Sequence, residues 1–399
     1  MRTNNILSNE SIHHCTGCQF CESICPANAI NFILDSDGFY KPQIDDNCIN
    51  CGICKKNCYK FQEIKFDKNQ DFKCYGAWSK NDDILNNSAS GGIATELFKY
   101  YLYLGYKVVG VAYDTKKKCA KTIIVDDISN LNLLYGSKYM QTCNNKIYKK
   151  LINSDEKFVI IGTPCSIFPI YKWAKENNQI DRFIFIDFFC HGTPSNNLWK
   201  TYLNKYNSSN LMEVKFRSKV YGWHEFATEF RYKNKIYFSK KTHQDPFFEL
   251  FFSNQLLNLS CYNCRCRDSF DYCDYRIGDF WGLKYQKNKK GVSALICVTS
   301  RSKKHFEHIK ENLFYEQVEF NDITKAQAYK KIYTYNKNER EICMSQLIEL
   351  NDIDAVLKNY ISRKNITYKI FRNIKIIVSY FPRSFQNFLM YIYKKVGDD

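Results

Sequence analysis

Two runs of cysteines with the same spacing constrain the fold of this chain more than any other feature of its sequence. The first run is Cys15-x2-Cys18-x2-Cys21-x3-Cys25, and the second is Cys48-x2-Cys51-x2-Cys54-x3-Cys58. Three cysteines at every third position can surround one face of a cubane cluster, and the fourth is then placed, after a turn, to reach a second cluster. The pattern predicts two 4Fe-4S clusters near the start of the chain.

The same rule assigns four ligands to each predicted cluster. The first cysteine set is Cys15, Cys18, Cys21 and Cys58, and the second cysteine set is Cys48, Cys51, Cys54 and Cys25. Two zinc sites are the alternative, but zinc uses Cys-x2-Cys pairs and does not account for triplets. Pro26 follows Cys25, and residues 12–59 resemble a two-cluster bacterial ferredoxin domain. Tyr59 follows Cys58 instead of a proline, which removes a turn restraint but no ligand.

The abundance of cysteine and the polar start of the chain indicate its compartment. The chain has 399 residues, of which 19 are cysteines and 45% are hydrophobic. Residues 1–11 have neither the apolar core nor the cleavage site of a signal peptide. Closely spaced cysteines in a reducing compartment are metal ligands more often than disulfides. We therefore expect a cytoplasmic protein.

The charge and the apolar runs limit the partners. The formal net charge of +17 raises nucleic acid as a partner, but the lysines are dispersed and each oxidised cluster with four thiolates adds about −2. We predict no nucleic-acid binding. No stretch has the roughly 18 apolar residues of a spanning helix. Residues 374–393 permit peripheral contact with a membrane, although a helix packed on its own domain is the favoured interpretation.

Hydrophobic periodicity predicts a hairpin followed by alternating helices and strands. Apolar runs over 29–34 and 39–44 flank an Asp-Gly turn and predict the hairpin. The pattern then predicts a helix over 91–104, strands over 107–113, 158–161 and 183–189, antiparallel strands within 214–239, and a strand over 292–299. Several strands end in Gly, Cys or Thr-Pro turns, which is typical of an α/β sheet that presents its site at strand ends.

Short motifs follow these elements. Ser88-Ala89-Ser90-Gly91-Gly92 opens a helix and offers backbone amides to a phosphate, although a plain N-cap explains it equally well. Gly136-Ser137-Lys138-Tyr139 adds a cation and hydroxyls for the same anion. The other motifs are Gly162-Thr163-Pro164-Cys165, Phe189-Cys190-His191-Gly192-Thr193-Pro194-Ser195, Arg217-Ser218-Lys219, Asp245-Pro246-Phe247, Cys261-x2-Cys264 and Ile277-Gly278-Asp279-Phe280-Trp281-Gly282.

In this order and spacing, the motifs resemble the beta subunit of coenzyme F420-reducing hydrogenases and dehydrogenases over residues 74–299. The resemblance implies bound FAD, with its phosphates near Ser88, Ser90, Gly91, Gly92, Ser137 and Lys138. It also implies a further 4Fe-4S cluster on a third cysteine set, formed by Cys165, Cys190, Cys261 and Cys264. Cys266 and Cys273 are close enough in sequence to substitute for one ligand. The alternative is that Cys165 and Cys190 are buried structural thiols and that Cys261 and Cys264 form a separate zinc-binding pair.

The predicted fold class is α+β with four parts. A bacterial-ferredoxin-like domain occupies residues 1–60 and a linker occupies residues 61–73. A mixed α/β flavin-binding and iron–sulfur domain follows over 74–302, and residues 303–399 form a mostly helical region. The remaining cysteines, namely Cys74, Cys119, Cys143, Cys297 and Cys343, are interpreted as ordinary thiols.

Two side chains are candidates for catalysis. His191, beside Cys190, would donate a proton to flavin or substrate, or would simply pack against the backbone. Lys138 is better suited to pair with an anion than to act as a base. Trp223 and Trp281 either cover a ring or pack in the core.

A flavin exchanges electrons in pairs or singly, whereas clusters pass them singly, so a protein holding both couples the two kinds of chemistry. We predict an oxidoreductase that exchanges electrons with a redox partner such as ferredoxin or another oxidoreductase. Its predicted substrate is a small organic molecule or coenzyme F420. Surface-polysaccharide metabolism is the setting that the resemblance suggests. The alternative is a non-catalytic electron-relay subunit that supplies a partner enzyme.

Overall fold

The helices and strands are taken from a computed structural model that describes residues 14–64, 71–144, 146–206 and 208–381. The strands are β1 (Ile30–Leu34), β2 (Tyr40–Ile44), β3 (Lys73–Ser79), β4 (Lys107–Asp114), β5 (Cys119–Val125), β6 (Thr142–Cys143), β7 (Phe158–Gly162), β8 (Phe183–Phe188), β9 (Leu211–Ser218), β10 (Ala227–Tyr232), β11 (Lys235–Phe238), β12 (Tyr275–Asp279), β13 (Ser293–Cys297) and β14 (Leu313–Gln317).

The helices alternate with these strands and dominate the C-terminal part. They are α1 (Phe20–Ile24), α2 (Ile53–Asn57), α3 (Asp82–Asn87), α4 (Ile93–Tyr103), α5 (Ile147–Ile152), α6 (Pro164–Glu176), α7 (Asn196–Asn204), α8 (Pro246–Phe252), α9 (Ser300–Ile309), α10 (Phe320–Thr324), α11 (Lys337–Glu349), α12 (Ile353–Ser362) and α13 (Ile366–Val378). None of the helices in the described residues combines the length and the apolarity that crossing a bilayer requires.

A nine-stranded mixed sheet lies at the centre, in the order β14-β3-β13-β12-β8-β7-β4-β5-β6. Its four middle strands, β12, β8, β7 and β4, are parallel. The strand β8 is almost completely buried, as expected for a strand covered on both faces, and its sequence is therefore an unbroken apolar run apart from Asp187. Because parallel strands share one direction, the segments that follow β7, β8 and β12 meet at one edge of the sheet.

A second, three-stranded antiparallel sheet, in the order β11-β10-β9, packs beside this edge. Trp199 of α7 stacks on Phe216 of β9 with ring centroids 4.3 Å apart, and both are fully or nearly fully buried. The same core includes residues of α8, α11 and α12. The second sheet thus fixes β9, whose last residues reach the edge of the large sheet.

The N-terminal segment packs on the large sheet through polar side chains. Gln141 accepts a hydrogen bond from the amide of Tyr40 (2.5 Å) and donates one to the carbonyl of Thr16 (2.9 Å). The side chain of Asn144 donates to the carbonyl of Cys18 (2.5 Å), and the backbone amide of Asn144 donates to the side-chain oxygen of Gln19 (2.8 Å). These contacts hold the first cysteine run against strand β6 and the residues around it.

Most predicted elements are present, with boundaries shifted by a few residues. The hairpin is confirmed as β1 and β2, which pair from Ile30 opposite Ile44, with Gly38 at φ +80° in the turn. The region predicted as mostly helical also contributes β14, which pairs with β3 as the outermost strand of the large sheet. Residues 65–70 of the predicted linker and residues 382–399 of the predicted C-terminal region lie outside the described residues.

Candidate functional site

The structure brings the first cysteine set together around one cavity. Helices α1 and α2 lie side by side, and each follows a residue in the left-handed conformation, Gln19 or Gly52. The cavity beside them is lined by Cys15, Cys18, Cys21, Cys54 and Cys58, together with Phe20, Tyr59, Lys60 and Pro169 among others. Cys58, from the second run, therefore lies with three cysteines of the first run, and so does Cys54, which the ligand rule assigns to the second cysteine set.

The thiols of this cavity are difficult to ionise without a compensating cation. Burial raises the pKa of Cys18 to about 11, and the neighbouring Cys15 adds to the rise. Burial also raises the pKa of Cys58 to about 12, with a further contribution from Cys18. Thiolates are the ligands of iron–sulfur clusters, and metal binding is what removes the protons from such thiols. The donor set fits an iron–sulfur cluster.

The second cysteine set extends from the buried Cys54 to the exposed Cys51. Cys25 and Cys54 pack with Ile30 and with Cys21 of the first set in a small cluster beside the hairpin. Cys48 and Cys51 lie in the loop before α2, where Cys51 is exposed and Ile49 is 67% exposed. The amide of Ala29 donates to the sulfur of Cys25 at 3.3 Å. A cluster on this set would be the one that an external electron carrier can approach.

The third cysteine set is assembled from three separate segments at the edge of the large sheet. Cys165 lies in the first turn of α6, Cys190 follows β8, and Cys261 and Cys264 lie in the loop before β12. Burial raises the pKa of Cys190 to about 12, and the thiols of Cys261 and Cys264 add to the rise. Burial, followed by the thiols of Cys264, Cys266 and Cys190, raises the pKa of Cys165 well above its ordinary value. All four predicted cysteines are therefore near one another, and Cys266 is near them too.

Within the described residues, no three histidine, cysteine, aspartate or glutamate side chains converge closely enough to hold a single metal ion. In a cubane cluster each thiolate binds a different iron atom, so its ligands need not converge on one point as the ligands of a single metal ion do. The other cysteines are Cys74, Cys297 and Cys343, which are buried in the core, and Cys119 and Cys143, which are partly buried on β5 and β6. Cys273 is buried near Asp187.

Two buried arginines, neither of which stands in one of the sequence motifs, hold the loops of the third set. Arg267 donates to the carbonyls of Cys190 (3.2 Å), His191 (3.2 Å) and Cys261 (2.9 Å), and also to that of Lys331 (2.8 Å). Arg276 forms a bidentate pair with Asp187 at 2.7 and 2.5 Å, and both side chains are completely buried. It also donates to the carbonyls of Arg267 and Ser269 (2.8 and 2.7 Å), which ties the cysteine loop to the sheet.

Tyr59 lies between the first and third cysteine sets. It lines the cavity of the first set and is only 6% exposed. Its ring meets Phe168 of α6 edge-on, and its hydrophobic cluster also contains Cys266, with Cys18, Cys165 and Cys264 at its margin. Arg265 donates to the carbonyl of Tyr59 at 3.0 Å. Tyr59, which stands where the ferredoxin pattern has proline, therefore forms the contact between two cysteine sets.

The Ser88–Gly92 motif forms a close-packed junction at the start of α4. The hydroxyl of Ser90 donates to the carbonyl of Val292 (2.7 Å), and the amide of Gly91 donates to the hydroxyl of Ser293 (2.9 Å). A Cβ on Gly91 would lie 2.4 Å from the carbonyl oxygen of Ala77, so only glycine fits there. These two donors are used within the protein, and the amides of the first turn of α4 are the donors that the helix itself leaves available.

Lys219 ties this junction to its surroundings. Its Nζ donates to the carbonyls of Leu85 (2.5 Å), Ser90 (2.6 Å) and Lys290. Burial lowers the pKa of Lys219 to about 7. The Arg217-Ser218-Lys219 motif predicts no role for Lys219, which in the structure supports the loop that carries Ser90.

Lys138 lies in the turn before β6 without an acidic partner. Its Nζ donates to the carbonyls of Tyr135 (2.8 Å) and Gly136 (3.1 Å), and in the described part of the chain no carboxylate pairs with it. Burial lowers the pKa of Lys138 to about 7. A cation without a counter-ion, next to the hydroxyls of Ser137 and Tyr139, suits an anionic group of a ligand.

An aromatic and charged cluster lies next to Lys138. Tyr139 hydrogen-bonds with Arg217, which pairs with Asp279 at 2.5 Å where β12 ends. The guanidinium of Arg217 lies 5.5 Å from the ring centroid of Trp281, and Trp281 stacks on Trp223 with centroids 5.4 Å apart. The cluster combines flat apolar surfaces with fixed hydrogen-bonding groups, which is the usual character of a cofactor site.

His191 lies in an aromatic enclosure beside the third cysteine set. Its Nε2 hydrogen-bonds with the Oδ1 of Asn254 at 2.8 Å, and its ring is 4.5 Å from that of Tyr333. Burial lowers the pKa of His191 to about 4. The imidazole is therefore neutral near pH 7.

Two family models match the chain. The model of the coenzyme F420 hydrogenase/dehydrogenase beta subunit N-terminus matches residues 74–149, and that of the same subunit's C-terminus matches residues 155–326. Together they cover more than half of the chain, in the order and place that the motifs predict. The chain belongs to the coenzyme F420 hydrogenase/dehydrogenase beta subunit family.

Membership in this family makes the chain a relative of oxidoreductase subunits that transfer electrons. The matched ranges contain Lys138, the Ser88–Gly92 motif and the third cysteine set, whereas the first and second sets precede them. Among solved structures, the F420-reducing [NiFe] hydrogenase complex from Methanosarcina barkeri includes a similar chain, with 13% identity, a TM-score of 0.47, and coverage of 72% of this chain and 93% of that one. The comparison with curated proteins found no match.

Proposed function

We propose that this protein is an iron–sulfur flavoprotein oxidoreductase, which couples one-electron transfer through 4Fe-4S clusters to two-electron chemistry of FAD. The supporting observation is the contact between the first and third cysteine sets through Tyr59. Helix α6 reinforces that contact, because its first turn carries Cys165 and, one turn later, Pro169 lines the cavity of the first set. Four residues of helix span only about 6 Å, so the two sets are neighbours.

In this proposal the three cysteine sets hold one 4Fe-4S cluster each, and Cys266 is the substitute ligand for the third. Lys138 and Ser137 bind an FAD phosphate together with the first turn of α4, while Trp281 and Arg217, which packs against it, lie beside the flavin. Bound FAD would supply the exchange between paired and single electrons. The substrate is a small organic molecule or coenzyme F420, and surface-polysaccharide metabolism is one setting.

The proton-handling residues follow from the same geometry. Lys138, whose pKa is about 7, can carry or release a proton near neutral pH. His191 is neutral, and its Nε2 donates to the side-chain oxygen of Asn254, so we propose that its Nδ1 orients a ligand by accepting a hydrogen bond. Both roles are part of the proposal.

A second candidate is a relay subunit that passes electrons to a partner enzyme without a substrate of its own. The exposed Cys51 and Ile49 favour it, because they give a ferredoxin or another oxidoreductase direct access to the second set. The relay predicts clusters but no turnover by the isolated chain with any two-electron donor.

Anaerobic purification followed by iron, sulfide and flavin analysis tests the proposal. We expect about twelve irons and one FAD per chain, since three cubanes hold four irons each. Reduction is then tried with reduced F420, NAD(P)H and reduced ferredoxin. About eight irons without flavin would contradict the flavoprotein and leave only the clusters of the N-terminal segment.

Replacing Lys138 by Ala is expected to weaken FAD binding at least about tenfold, because one charge-assisted hydrogen bond contributes about 1.5–3 kcal/mol. In the wild type the affinity should also fall as pH rises above 7, because the lysine then binds the phosphate only after taking up a proton. The variant should show no such pH dependence. Flavin fluorescence titration measures both, with the exposed Lys116→Ala as the control. Equal affinities for the variant and the wild type would exclude Lys138 from the site.

Replacing Tyr59 by Leu is expected to slow electron transfer between the N-terminal clusters and the third cluster, whereas Tyr59→Phe should stay close to the wild type. Each transfer moves one electron from a reduced cluster to an oxidised one. Freeze-quench EPR after mixing with limiting dithionite measures the rate, and iron analysis checks that all clusters remain. The exposed Tyr103→Leu is the control. An unchanged rate in Tyr59→Leu would show that electrons take another route.

A further inference from the structure

Helix α13 carries an apolar face that the rest of the described protein does not cover. Ile366, Ile370, Ile374 and Ile377 are 70%, 51%, 48% and 57% exposed. Their spacing places them on one side of the helix, and we call this row the α13 stripe. Exposed apolar rows of this kind usually mark a binding surface.

The opposite side of α13 is held by the body of the protein. Arg372 pairs with Glu249 of α8, with Nη2 3.0 Å from Oε2. At the end of the helix, Lys241 donates to the carbonyl of Ser379 and Gln244 donates to its hydroxyl, both at 2.7 Å. The orientation of the helix is therefore fixed, and the stripe faces outward.

The charges around the stripe indicate its partner. Lys369 lies beside the stripe and donates to the carbonyl of Ser362 at 2.9 Å, Lys375 lies farther round the same helix, and α13 itself contains no acidic residue. The chain as a whole has a formal net charge of +17, so a second copy would be repelled and an anionic surface attracted. A helix with an apolar face and flanking lysines is the arrangement that binds in the plane of an anionic bilayer.

We propose that the α13 stripe docks this protein onto the surface of an anionic membrane. The 13 residues of α13 measure about 20 Å, which suits a helix lying in the headgroup region with its isoleucines turned into the acyl chains. The inference is independent of the cofactors. Together with the proposed function, on which this last step rests, it gives the protein a location for electron transfer to or from a reaction at the membrane surface.

Flotation of the purified full chain with phospholipid vesicles tests the proposal. Vesicles of phosphatidylcholine with phosphatidylglycerol should bind the protein, and vesicles of phosphatidylcholine alone should bind it much more weakly. The double variant Ile370→Gln/Ile374→Gln should lose at least about tenfold in affinity, because two half-exposed isoleucines no longer enter the bilayer. Lys369→Glu/Lys375→Glu should lose the preference for the anionic lipid. Ile348→Gln, a similarly exposed isoleucine on α11, should bind as the wild type does.

Three results would overturn the proposal. The first is unchanged vesicle binding by the double variant or equal binding to both lipid compositions. The second is a dimer in sedimentation equilibrium that the double variant cannot form, which would make the stripe a contact between copies. The third is a lower thermal midpoint of the double variant without vesicles, which would show that the stripe is covered within the protein itself.

Discussion

Replacing Asp187 by Leu is expected to destabilise the protein by about 3–5 kcal/mol, because Arg276 is then left as an uncompensated buried charge. Both side chains are completely buried, and the bidentate contact joins residues that lie opposite each other on the paired strands β8 and β12. Burial raises the pKa of Asp187, and the guanidinium of Arg276 opposes that rise. A carboxylate held bidentately by a group that stays protonated remains ionised, so the pair acts as a charged unit.

Urea unfolding of the variant and the wild type measures this effect. The double variant Asp187→Leu/Arg276→Met should recover much of the lost stability, because removing both charges removes the uncompensated one. Glu156→Gln breaks the exposed pair between Glu156 and Lys107 and should have a much smaller effect. If Asp187→Leu unfolds at the same urea concentration as Glu156→Gln, the pair does not stabilise the fold in the way described.

Replacing Arg267 by Met is expected to have two effects, and both follow from its position over the third cysteine set. The four carbonyls that it binds lose their charged donor, which should lower the stability by at least about 3 kcal/mol. In the described part of the chain no carboxylate pairs with Arg267. Its positive charge therefore acts on the thiols, and it lowers the pKa of Cys190 and of Cys261 against the larger effect of burial.

The second effect is on the third cluster, if that cluster is present as proposed. A buried cation favours the more negative, reduced state, so the reduction potential should fall when Arg267 is removed. Redox titration followed by EPR measures it, alongside iron analysis and urea unfolding. The exposed Arg363→Gln is the control. A potential equal to that of the wild type, in a variant with full iron, would show that Arg267 only supports the loops.

The cysteine pattern carries most of what could be predicted about the candidate site, because iron–sulfur clusters are mostly held by cysteines at recognisable spacings. The proximity of Cys58 to Cys15 and Cys18 follows from that spacing alone. The third set was predictable only through the resemblance, since Cys165, Cys190 and Cys261 come from separate segments that the topology of the sheet brings together. No periodicity in the sequence contains that information.

The sequence did not reveal the residues whose side chains hydrogen-bond to backbone carbonyl groups. Arg267 and Lys219 bind carbonyl groups, and any arginine or lysine offers the same donors, so neither stands in a recognisable motif with its partners. Tyr59 was interpreted as a missing proline, whereas its ring fills the space between two cysteine sets. The amide of Gly91 was expected to be free, but Ser293, about two hundred residues away in sequence, accepts its hydrogen bond.

The fold was predictable where the pattern was strong and local. The hairpin, the helix α4 and the strands β4, β7 and β8 follow directly from their apolar spacing. Strand β14 was missed, because Leu313 is its only buried residue and the other four are exposed. An edge strand of this kind has no periodic signal and is defined by its pairing with β3.

The pairing of β3 has a consequence for how the chain folds during synthesis. Among the described strands, the neighbours of β3 in the large sheet are β13 and β14, and both are made more than two hundred residues later. Pairings so distant in sequence form slowly, because a long loop must close first. The N-terminal cysteine segment is complete long before that closure, so a ribosome-bound chain would present its cysteines for metal loading well before β3 finds its partners.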